Sequence, residues 1–383
     1  MGSLDPPPFF TEFTFKGQQN TSSLGFQTSL PFPLALKPSR ETQPTLPESI
    51  AAIQTAISSG ALFRRIQDHG GALLLRGLPI STPQEYSELA HAFGLHAHEE
   101  VGRPPHRTVL AKNVKTANEG PPEMPIWPHN EYGWSTINPA WLTFSNLHVP
   151  ASGGETPLIS SIGLAAALRE QAPEFMDELL RKGVRYVYRY GAQAVQSNTG
   201  TSVSGAYGHT ILPTDTPSIA RAKIEAEVRR HSERFEWHED GSLSVTHIVP
   251  IVRKHIPTNL PTFFGNLTSA YGRSRHHGAT EPPYLGDDGS YHPLPTYGDG
   301  TVIPTRYLEL ALEIAEASQV LVKWEKGDVV LLDNYAVIHS RAAWTGQRTV
   351  LAALWDEEGR IGDFAEGEEI LKGSPSRPIV AEG

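Results

Sequence analysis

The sequence predicts a mixed, mainly β protein that ends in an antiparallel sandwich or barrel. The 383-residue chain holds 34 glycines and 32 prolines, a composition typical of a globular protein with many turns and therefore many strands. Four runs of β-forming residues follow one another near the C-terminus with short connections between them, namely VLVKW, DVVLLD, YAVIHS and RTVLAALW. Such short connections can join antiparallel neighbours but are too short for the crossover that parallel strands require.

The first predicted helix begins at Pro47 and ends at Gly60. Ile50, Ile53 and Ile57 fall on one face of a helix between these two residues. Proline is favoured in the first turn of a helix, and glycine is a common stop signal. The segment is therefore expected to pack its isoleucine face against a core.

A buried strand and a second helix follow. The strand is GALLLRG, residues 71–77. Thr82 and Glu85 have the spacing of a capping box, and apolar residues that share one face continue from there until Gly94 ends the helix. The opening of the chain is thus mixed helix and strand.

The domain organisation is predicted from the elements that remain. Between the second helix and the C-terminal runs we expect a strand at 141–149, a helical segment at 164–179, a helix at 217–235 and a helix at 305–317. Residues 1–45, rich in Pro, Thr and Ser, are expected to form an extended N-terminal arm. Residues 46–383 are expected to form a single domain with a loop-rich insertion at about 185–305.

The composition excludes several classes of function. Lys and Arg number 32 against 42 Asp and Glu, and the resulting net charge of −10 argues against nucleic acid and anionic membranes as partners. Cysteine is absent, so a protein-held metal must use His, Asp or Glu. No signal peptide or transmembrane segment is recognisable, and we therefore expect a cytoplasmic protein.

The sharpest local pattern is WPHNEYGW, residues 127–134. In an extended segment the side chains of His129 and Glu131 point to the same side and can reach one metal ion, if a third ligand comes from elsewhere. A surface histidine beside an exposed acid is the alternative interpretation. The polar run at 96–100 also contains His and Glu, but its composition favours a solvated segment.

Further motifs along the chain support a functional role for His129 and Glu131. GGETP follows at 153–157, and DNYAVIHSRAAWTGQRTVLAALW places His339 and Arg348 on adjacent strand-like runs. Together with GALLLRGLPISTPQEY, TANEGPPEMPIWPHNE and KWEKGDVVLLDN, and in this order, these motifs cover most of the chain. The ordered set resembles the taurine dioxygenase (TauD/TfdA-like) family of iron(II)- and 2-oxoglutarate-dependent oxygenases, in its clavaminate synthase-like branch.

The resemblance implies a metal site made by His129, Glu131 and His339. Two imidazoles and one carboxylate occupy one face of an iron(II) octahedron and leave three positions open, two for 2-oxoglutarate and one for dioxygen. Thr156 and Arg348 match the residues that bind 2-oxoglutarate in the family. A guanidinium suits this task because it holds a carboxylate through two hydrogen bonds and keeps its charge.

Five further residues are candidates for contact with the substrate, and the three aromatic ones among them flank the proposed ligands. They are Asn118, Trp127, Tyr132, Trp134 and Arg341. A substrate pocket is usually apolar with a few placed polar groups, as this set would provide.

The fold that the resemblance implies is a double-stranded β-helix, or jelly-roll, with flanking helices and a long insertion. The implied reaction is oxidation, most simply hydroxylation, of an unactivated C–H bond in a small organic substrate, with release of succinate and carbon dioxide. Amino acids and natural-product intermediates of secondary metabolism are candidate substrates, while the sequence indicates no oligomeric state. Two alternatives stay open: a zinc-dependent hydrolase that uses the same His/Glu/His site, and a non-catalytic jelly-roll binding protein.

Overall fold

The computed structural model describes residues 9–102, 107–117, 120–193, 202–289 and 291–364. Its α-helices are α1 (Leu46–Ser58), α2 (Ala61–Asp68), α3 (Pro83–His91), α4 (Ser161–Gln171), α5 (Pro173–Lys182), α6 (Val203–Tyr207), α7 (Pro217–Arg229), α8 (Leu267–His276) and α9 (Thr305–Ala317). Its strands are β1 (Phe10–Glu12), β2 (Gln19–Asn20), β3 (Pro31–Phe32), β4 (Leu34–Pro38), β5 (Ala72–Leu75), β6 (His96–Ala97), β7 (Val109–Ala111), β8 (Val114–Thr116), β9 (Ile126–His129), β10 (Trp141–His148), β11 (Ser152–Gly153), β12 (Thr156–Ser160), β13 (Val184–Tyr190), β14 (Phe235–Trp237), β15 (Leu243–Val249), β16 (Val252–His255), β17 (Leu260–Phe263), β18 (Thr296–Tyr297), β19 (Val320–Val322), β20 (Val329–Asp333), β21 (Val337–Arg341), β22 (Trp344–Thr345), β23 (Thr349–Asp356) and β24 (Ile361–Gly362).

The helix starts follow local sequence signals. The capping box predicted at Thr82 and Glu85 is present at the start of α3. Helix α1 has the same device, since Thr45 accepts a hydrogen bond from the Glu48 backbone and the Glu48 side chain accepts one from the Thr45 backbone. Each box satisfies two backbone donors that a helix start otherwise leaves without partners.

Two antiparallel sheets form the centre of the molecule. The larger sheet runs in the order β1-β4-β5-β20-β10-β23-β8-β7, with β6 beside β23, and β4 and β5 are parallel. The smaller sheet runs in the order β19-β12-β21-β9. The four predicted C-terminal strands, β19, β20, β21 and β23, are thus confirmed as strands and are divided between the two sheets.

Strand β20 shows how the larger sheet separates two cores. Val330 and Leu332 belong to the core that also contains residues of the smaller sheet, while Val329 and Leu331 belong to a second core with residues of α1, α2 and α3. Side chains of a strand alternate between its two faces, which explains this division. Because both faces are covered, every residue of β20 is buried.

The described part of the N-terminal segment, residues 9–45, contains short strands and does not run only over the surface. Strand β4 lies inside the larger sheet, between β1 and β5, and its first three residues are buried. Alternating apolar residues in LALKP allow this placement because Leu34 and Leu36 face one core and Ala35 the other.

The region around 185–305 contains more regular structure than its turn-rich composition predicts. Strands β13 and β15 pair along seven residues each, with β14 and β18 at the two edges. Their buried residues recur at every second position over most of their length, a pattern that the prediction of loop with isolated strands missed. Helix α8 also lies in this region, where it packs against β9. Within the described residues, no helix combines the length and the apolar character needed to cross a membrane.

Candidate metal centre

Two histidines lie side by side on paired strands. His129 ends β9, and the antiparallel register of β9 and β21 places it opposite His339. Opposite residues on one face of a ladder are close enough for their side chains to touch. The two imidazole centroids are accordingly 4.3 Å apart.

Glu131 reaches the same place from a turn. Because β9 ends at His129, the prediction that His129 and Glu131 share one extended strand is wrong; Glu131 lies in a turn in which Tyr132 has a φ of 54°. The side chain of Asn334 holds this turn, since it accepts a hydrogen bond from the Glu131 amide at 2.9 Å and donates one to the Glu131 carbonyl at 2.9 Å. Asn130 adds a hydrogen bond to the Asn334 carbonyl at 2.7 Å.

The three side chains converge on one point. Glu131 Oε2 lies 3.8 Å from His129 Nε2 and 3.7 Å from His339 Nε2. One ligand atom from each of the three residues lies within 4.8 Å of the other two. Glu131 and His339 are buried and His129 is partly buried, so the cluster lies below the surface with access at its His129 side.

The protonation states suit a divalent cation. Burial, together with the neighbouring His129, lowers the pKa of His339 to about 3. Burial by itself raises the pKa of Glu131, but Arg107, His129 and His339 together bring that pKa well below its usual range. The imidazole of His129 lies with Nδ1 2.9 Å from the Trp127 carbonyl, which leaves Nε2 as the metal-facing nitrogen. Two imidazoles and one carboxylate are the donor set of a non-haem iron(II) site with open positions.

A cationic group that the sequence did not indicate adjoins this cluster. Arg107 donates to Glu131 Oε1 at 2.6 Å and lies 3.5 Å from the carboxylate of Glu100, which also pairs with Lys115. Glu100 further accepts a hydrogen bond from Tyr132 at 3.0 Å. The polar run at 96–100 is thus only partly solvated, because Glu100 is drawn inward by two cations.

Thr156 lies on the strand next to that of His339, and Arg348 lies at the start of a strand of the larger sheet. Thr156 begins β12, whose Leu158 is opposite His339, and its hydroxyl accepts a hydrogen bond from Trp324 at 3.1 Å. Arg348 directly precedes β23 and donates from Nε to the Gly154 carbonyl at 3.1 Å. Burial lowers the pKa of Arg348 to about 10, which still leaves it charged at neutral pH. Of the two residues predicted to bind 2-oxoglutarate, Thr156 therefore belongs to the GGETP segment and Arg348 contacts that segment at Gly154.

The GGETP turn requires its first glycine. Gly153 has a φ of 66°, and a Cβ there would lie 2.1 Å from the Ala343 carbonyl oxygen. Only glycine allows so close an approach of two backbones at that dihedral angle.

Arg341 lies near Arg348, and the two guanidinium groups share the indole of Trp344. Their central carbons are 4.5 and 5.2 Å from the ring centroid. Burial and the charge of Arg348 lower the pKa of Arg341 to about 9. Arg341 also donates to the Met124 carbonyl at 2.6 Å, so it connects β21 to the segment before β9.

The aromatic candidates divide between two places. Trp127 packs against α8, where a Cβ on Gly272 would lie 2.3 Å from the indole. Tyr132 and Trp134 are buried together with ring centroids 5.6 Å apart, and Trp134 also contacts His247 at 4.8 Å. Asn118 lies outside the described residues. The structure thus brings Tyr132 and Trp134 together in the turn that carries Glu131 and packs Trp127 against α8.

A family model and two known proteins match most of this chain. The model of the family described as "Taurine catabolism dioxygenase TauD, TfdA family" matches residues 43–355. A clavaminate synthase-like protein of Arabidopsis thaliana is 28% identical over 328 residues, which cover 85% of this chain and 94% of that protein. The dapdiamide synthesis protein DdaC of Enterobacter agglomerans is 25% identical over 289 residues, covering 75% of this chain and 82% of that protein.

Solved structures with a similar outline have low sequence identity. A taurine dioxygenase from Burkholderia xenovorans is 16% identical with a TM-score of 0.43, covering 89% of this chain and 93% of that one. The PvcB protein from Pseudomonas aeruginosa is 15% identical with a TM-score of 0.46, covering 95% of this chain and 97% of that one.

Proposed function

Because this chain belongs to the TauD/TfdA family of dioxygenases, we propose that it oxidises an unactivated C–H bond of a small organic molecule, with hydroxylation as the outcome. The protein is an iron(II)- and 2-oxoglutarate-dependent dioxygenase, an oxidoreductase that takes dioxygen as its second co-substrate. The observation that carries the proposal is the convergence of one ligand atom each from His129, Glu131 and His339 within 4.8 Å.

We assign the metal to His129 Nε2, Glu131 Oε2 and His339 Nε2. Bound iron(II) would supply the activation of dioxygen, coupled to conversion of 2-oxoglutarate into succinate and carbon dioxide. Arg107 holds Glu131 Oε1 and thereby leaves Oε2 for the metal. The buried aromatic side chains of Tyr132 and Trp134 exclude water on the side of Glu131.

The co-substrate is assigned to Thr156 and Arg348. Arg348 is buried and charged, and a buried cation is stabilised when an anion comes within hydrogen-bond distance. The distal carboxylate of 2-oxoglutarate is such an anion. The nearby Arg341 adds positive potential at the same place.

The primary substrate is assigned as a class. Amino acids and biosynthetic intermediates are the candidates, and the relative named for dapdiamide synthesis supports the second group. Asn118, Trp127, Tyr132 and Trp134 remain the residues proposed for substrate contact, with Arg341 as a fifth. No nucleic acid or membrane is needed as a partner.

The two facing sheets and the domain bounds are the subject of a further assignment. We propose that the two facing sheets are a double-stranded β-helix within a domain of residues 46–383, and that residues 1–45 are an arm added to its edge. The strand order β19-β12-β21-β9 facing β5-β20-β10-β23 supports this assignment, since both sheets are antiparallel there and share one core.

Anaerobic titration with iron(II) and 2-oxoglutarate tests the function. The parent protein should develop the weak visible charge-transfer band of 2-oxoglutarate chelated to iron(II), and the band should be lost in His129→Ala and His339→Ala because one of three ligands is missing. Both variants should keep the circular dichroism of the parent. A zinc hydrolase or an inert binding protein gives no such band, and its absence in the parent would refute the proposal.

A further inference from the structure

A second group of metal-ligating side chains lies at the end of α8. His277 follows the last residue of this helix, and the loop after it brings Asp288 and His292 back to the same place. One ligand atom from each of the three residues lies within 4.8 Å of the other two. The two histidines are buried, while 31% of the Asp288 side chain is exposed.

The carboxylate of Asp288 faces both imidazoles. Its two oxygens lie 3.0 and 3.1 Å from His292 Nε2, and Oδ2 lies 3.9 Å from His277 Nε2. The two rings are nearly parallel, at 9°, with centroids 4.7 Å apart. Both Nε2 atoms therefore point to the same side, towards one carboxylate.

A neighbouring carboxylate orients His277. Asp287 Oδ1 lies 2.7 Å from His277 Nδ1, so a proton on Nδ1 is held there and Nε2 keeps its lone pair. A carboxylate on the far nitrogen of a histidine is a common arrangement behind metal ligands, because it fixes the tautomer and the ring direction. The Asp287 amide also donates to the His277 carbonyl at 3.1 Å, which fixes the two residues against each other.

The loop backbone at Gly286 packs closely against His277, Asp288 and His292. A Cβ on Gly286 would lie 2.7 Å from Asp288 Oδ1, 2.8 Å from His292 Cδ2 and 2.9 Å from His277 Cβ. A side chain at position 286 would thus displace all three residues. The loop is also tied to α8 by Ser274, whose hydroxyl donates to the His292 carbonyl at 2.9 Å.

We propose that His277, Asp288 and His292 bind one zinc ion, at a site separate from the iron centre. Two imidazole nitrogens and one carboxylate oxygen are frequent zinc ligands, and the partly exposed Asp288 leaves room for water as a fourth ligand. The ion replaces the hydrogen bonds that now join Asp288 to His292. Its role is structural: it fastens the loop of residues 278–292 to α8, and Thr268 of that helix donates to the Pro128 carbonyl, next to His129.

Metal titration of a protein that lacks the iron centre tests the proposal. The chelator-stripped His129→Ala/His339→Ala double variant should bind one equivalent of Zn²⁺ in isothermal titration calorimetry, and its unfolding temperature should rise on addition of Zn²⁺. Further substitution of Asp288→Asn or His292→Ala should weaken Zn²⁺ binding at least 100-fold. Asp287→Asn should weaken it roughly 10-fold to 100-fold, because it removes the group that orients His277.

The matched control is His276→Ala in the same double variant. His276 is exposed and adjoins His277 in sequence, with its ring centroid 4.9 Å away. The His276→Ala substitution should leave one equivalent of Zn²⁺ bound with unchanged affinity. Failure of the double variant to bind Zn²⁺ would overturn the proposal. So would binding of one equivalent of Zn²⁺ by both of the variants that add Asp288→Asn or His292→Ala to the double variant. Asp288→Asn keeps the test valid if His292→Ala does not fold, since Asp288 is partly exposed.

Discussion

Asn334 is the residue on which the position of Glu131 depends most directly. Its buried amide bridges the backbone N–H and C=O of Glu131 and donates to the Pro139 carbonyl at 2.8 Å. We expect Asn334→Ala to lower the free energy of unfolding by about 3 kcal/mol, because buried backbone groups lose their partners. Iron(II) affinity should fall as well, because the turn that carries Glu131 loses its support.

Urea unfolding and iron(II) titration check both effects. The control is Asn20→Ala, because Asn20 is exposed and its side chain does not cap the 3-10 turn of residues Thr21–Leu24 that follows it. If Asn334→Ala keeps the stability and the iron affinity of the parent, Asn334 does not position Glu131.

The residues of the centre were predictable to different degrees. His129, Glu131 and His339 were found because motif order and residue chemistry both point to them. Asn334 and Arg107 were missed, since no local pattern signals them: Asn334 is 203 residues from Glu131 in the sequence, and Arg107 acts only through the fold. A single sequence gives no distances between such residues.

Strand β23 connects the proposed co-substrate site to the core. Arg348 precedes the strand, and Ala352, four residues on, points into the core shared by the two sheets. The resemblance to the taurine dioxygenase family implies that an enzyme acting on taurine carries an arginine at that position for the sulfonate. Because this chain has Ala352 there, we expect taurine to be a negligible substrate, which an assay of succinate formation with taurine measures. Efficient turnover of taurine would contradict this placement of β23.

Arg348 itself should govern the requirement for 2-oxoglutarate. Loss of a buried charge pair typically costs ~2–5 kcal/mol, so Arg348→Ala should raise KM for 2-oxoglutarate at least about 30-fold, with a much smaller effect on KM for the primary substrate. Exposed Arg64 provides the control, and Arg64→Ala should leave both constants unchanged. An unaltered 2-oxoglutarate titration in Arg348→Ala would show that another residue binds the co-substrate.

Elements with strong local signals were predicted well. Helices α1 and α3 have a capping box and a first-turn proline, and β10 is a run of β-formers. Strands of two or three residues such as β1 and β6 were missed because they are too short to show a period. These strands form only because a neighbouring strand is already in place.

The stability of the whole molecule should fall in mild acid. Burial and the charge of Arg230 lower the pKa of His231 to about 4, and burial lowers the pKa of His247 well below its usual range. In the unfolded chain these histidines bind protons near pH 6.5. The unfolded state therefore binds more protons than the folded state below that pH, and the free energy of unfolding declines from about pH 6.5 towards pH 4 but is retained above 6.5.

The variant His247→Phe isolates this effect. Neither ring nitrogen of His247 has a hydrogen-bond partner within the described part of the chain, and the ring is surrounded by Trp134, Tyr188 and His231. At pH 7.5 we expect the free energy of unfolding of the variant to be about 1 kcal/mol higher than that of the parent. Between pH 6.5 and 4.5 this free energy should fall less in the variant than in the parent. Urea unfolding at several pH values measures both, with exposed His148→Gln as the control. A curve parallel to that of the parent would refute the role of His247.

The overall architecture was predictable as a class, whereas its topology was not. The C-terminal runs indicated antiparallel strands, but nothing in their spacing shows that β20 lies between β5 and β10 or that β21 lies between β12 and β9. Such pairings join segments that are distant in the sequence and are selected by packing in the finished core.

The pairing of β9 with β21 has a consequence for biosynthesis. During translation, His129 and Glu131 leave the ribosome long before β21 has been made, and the growing chain offers two ligands without the third. With the proposed ligand set, iron(II) can be bound only once His339 has been made and β21 has paired with β9. Metal loading would therefore be a late event that stabilises only the folded protein, and a chain terminated before His339 would lack the third proposed ligand.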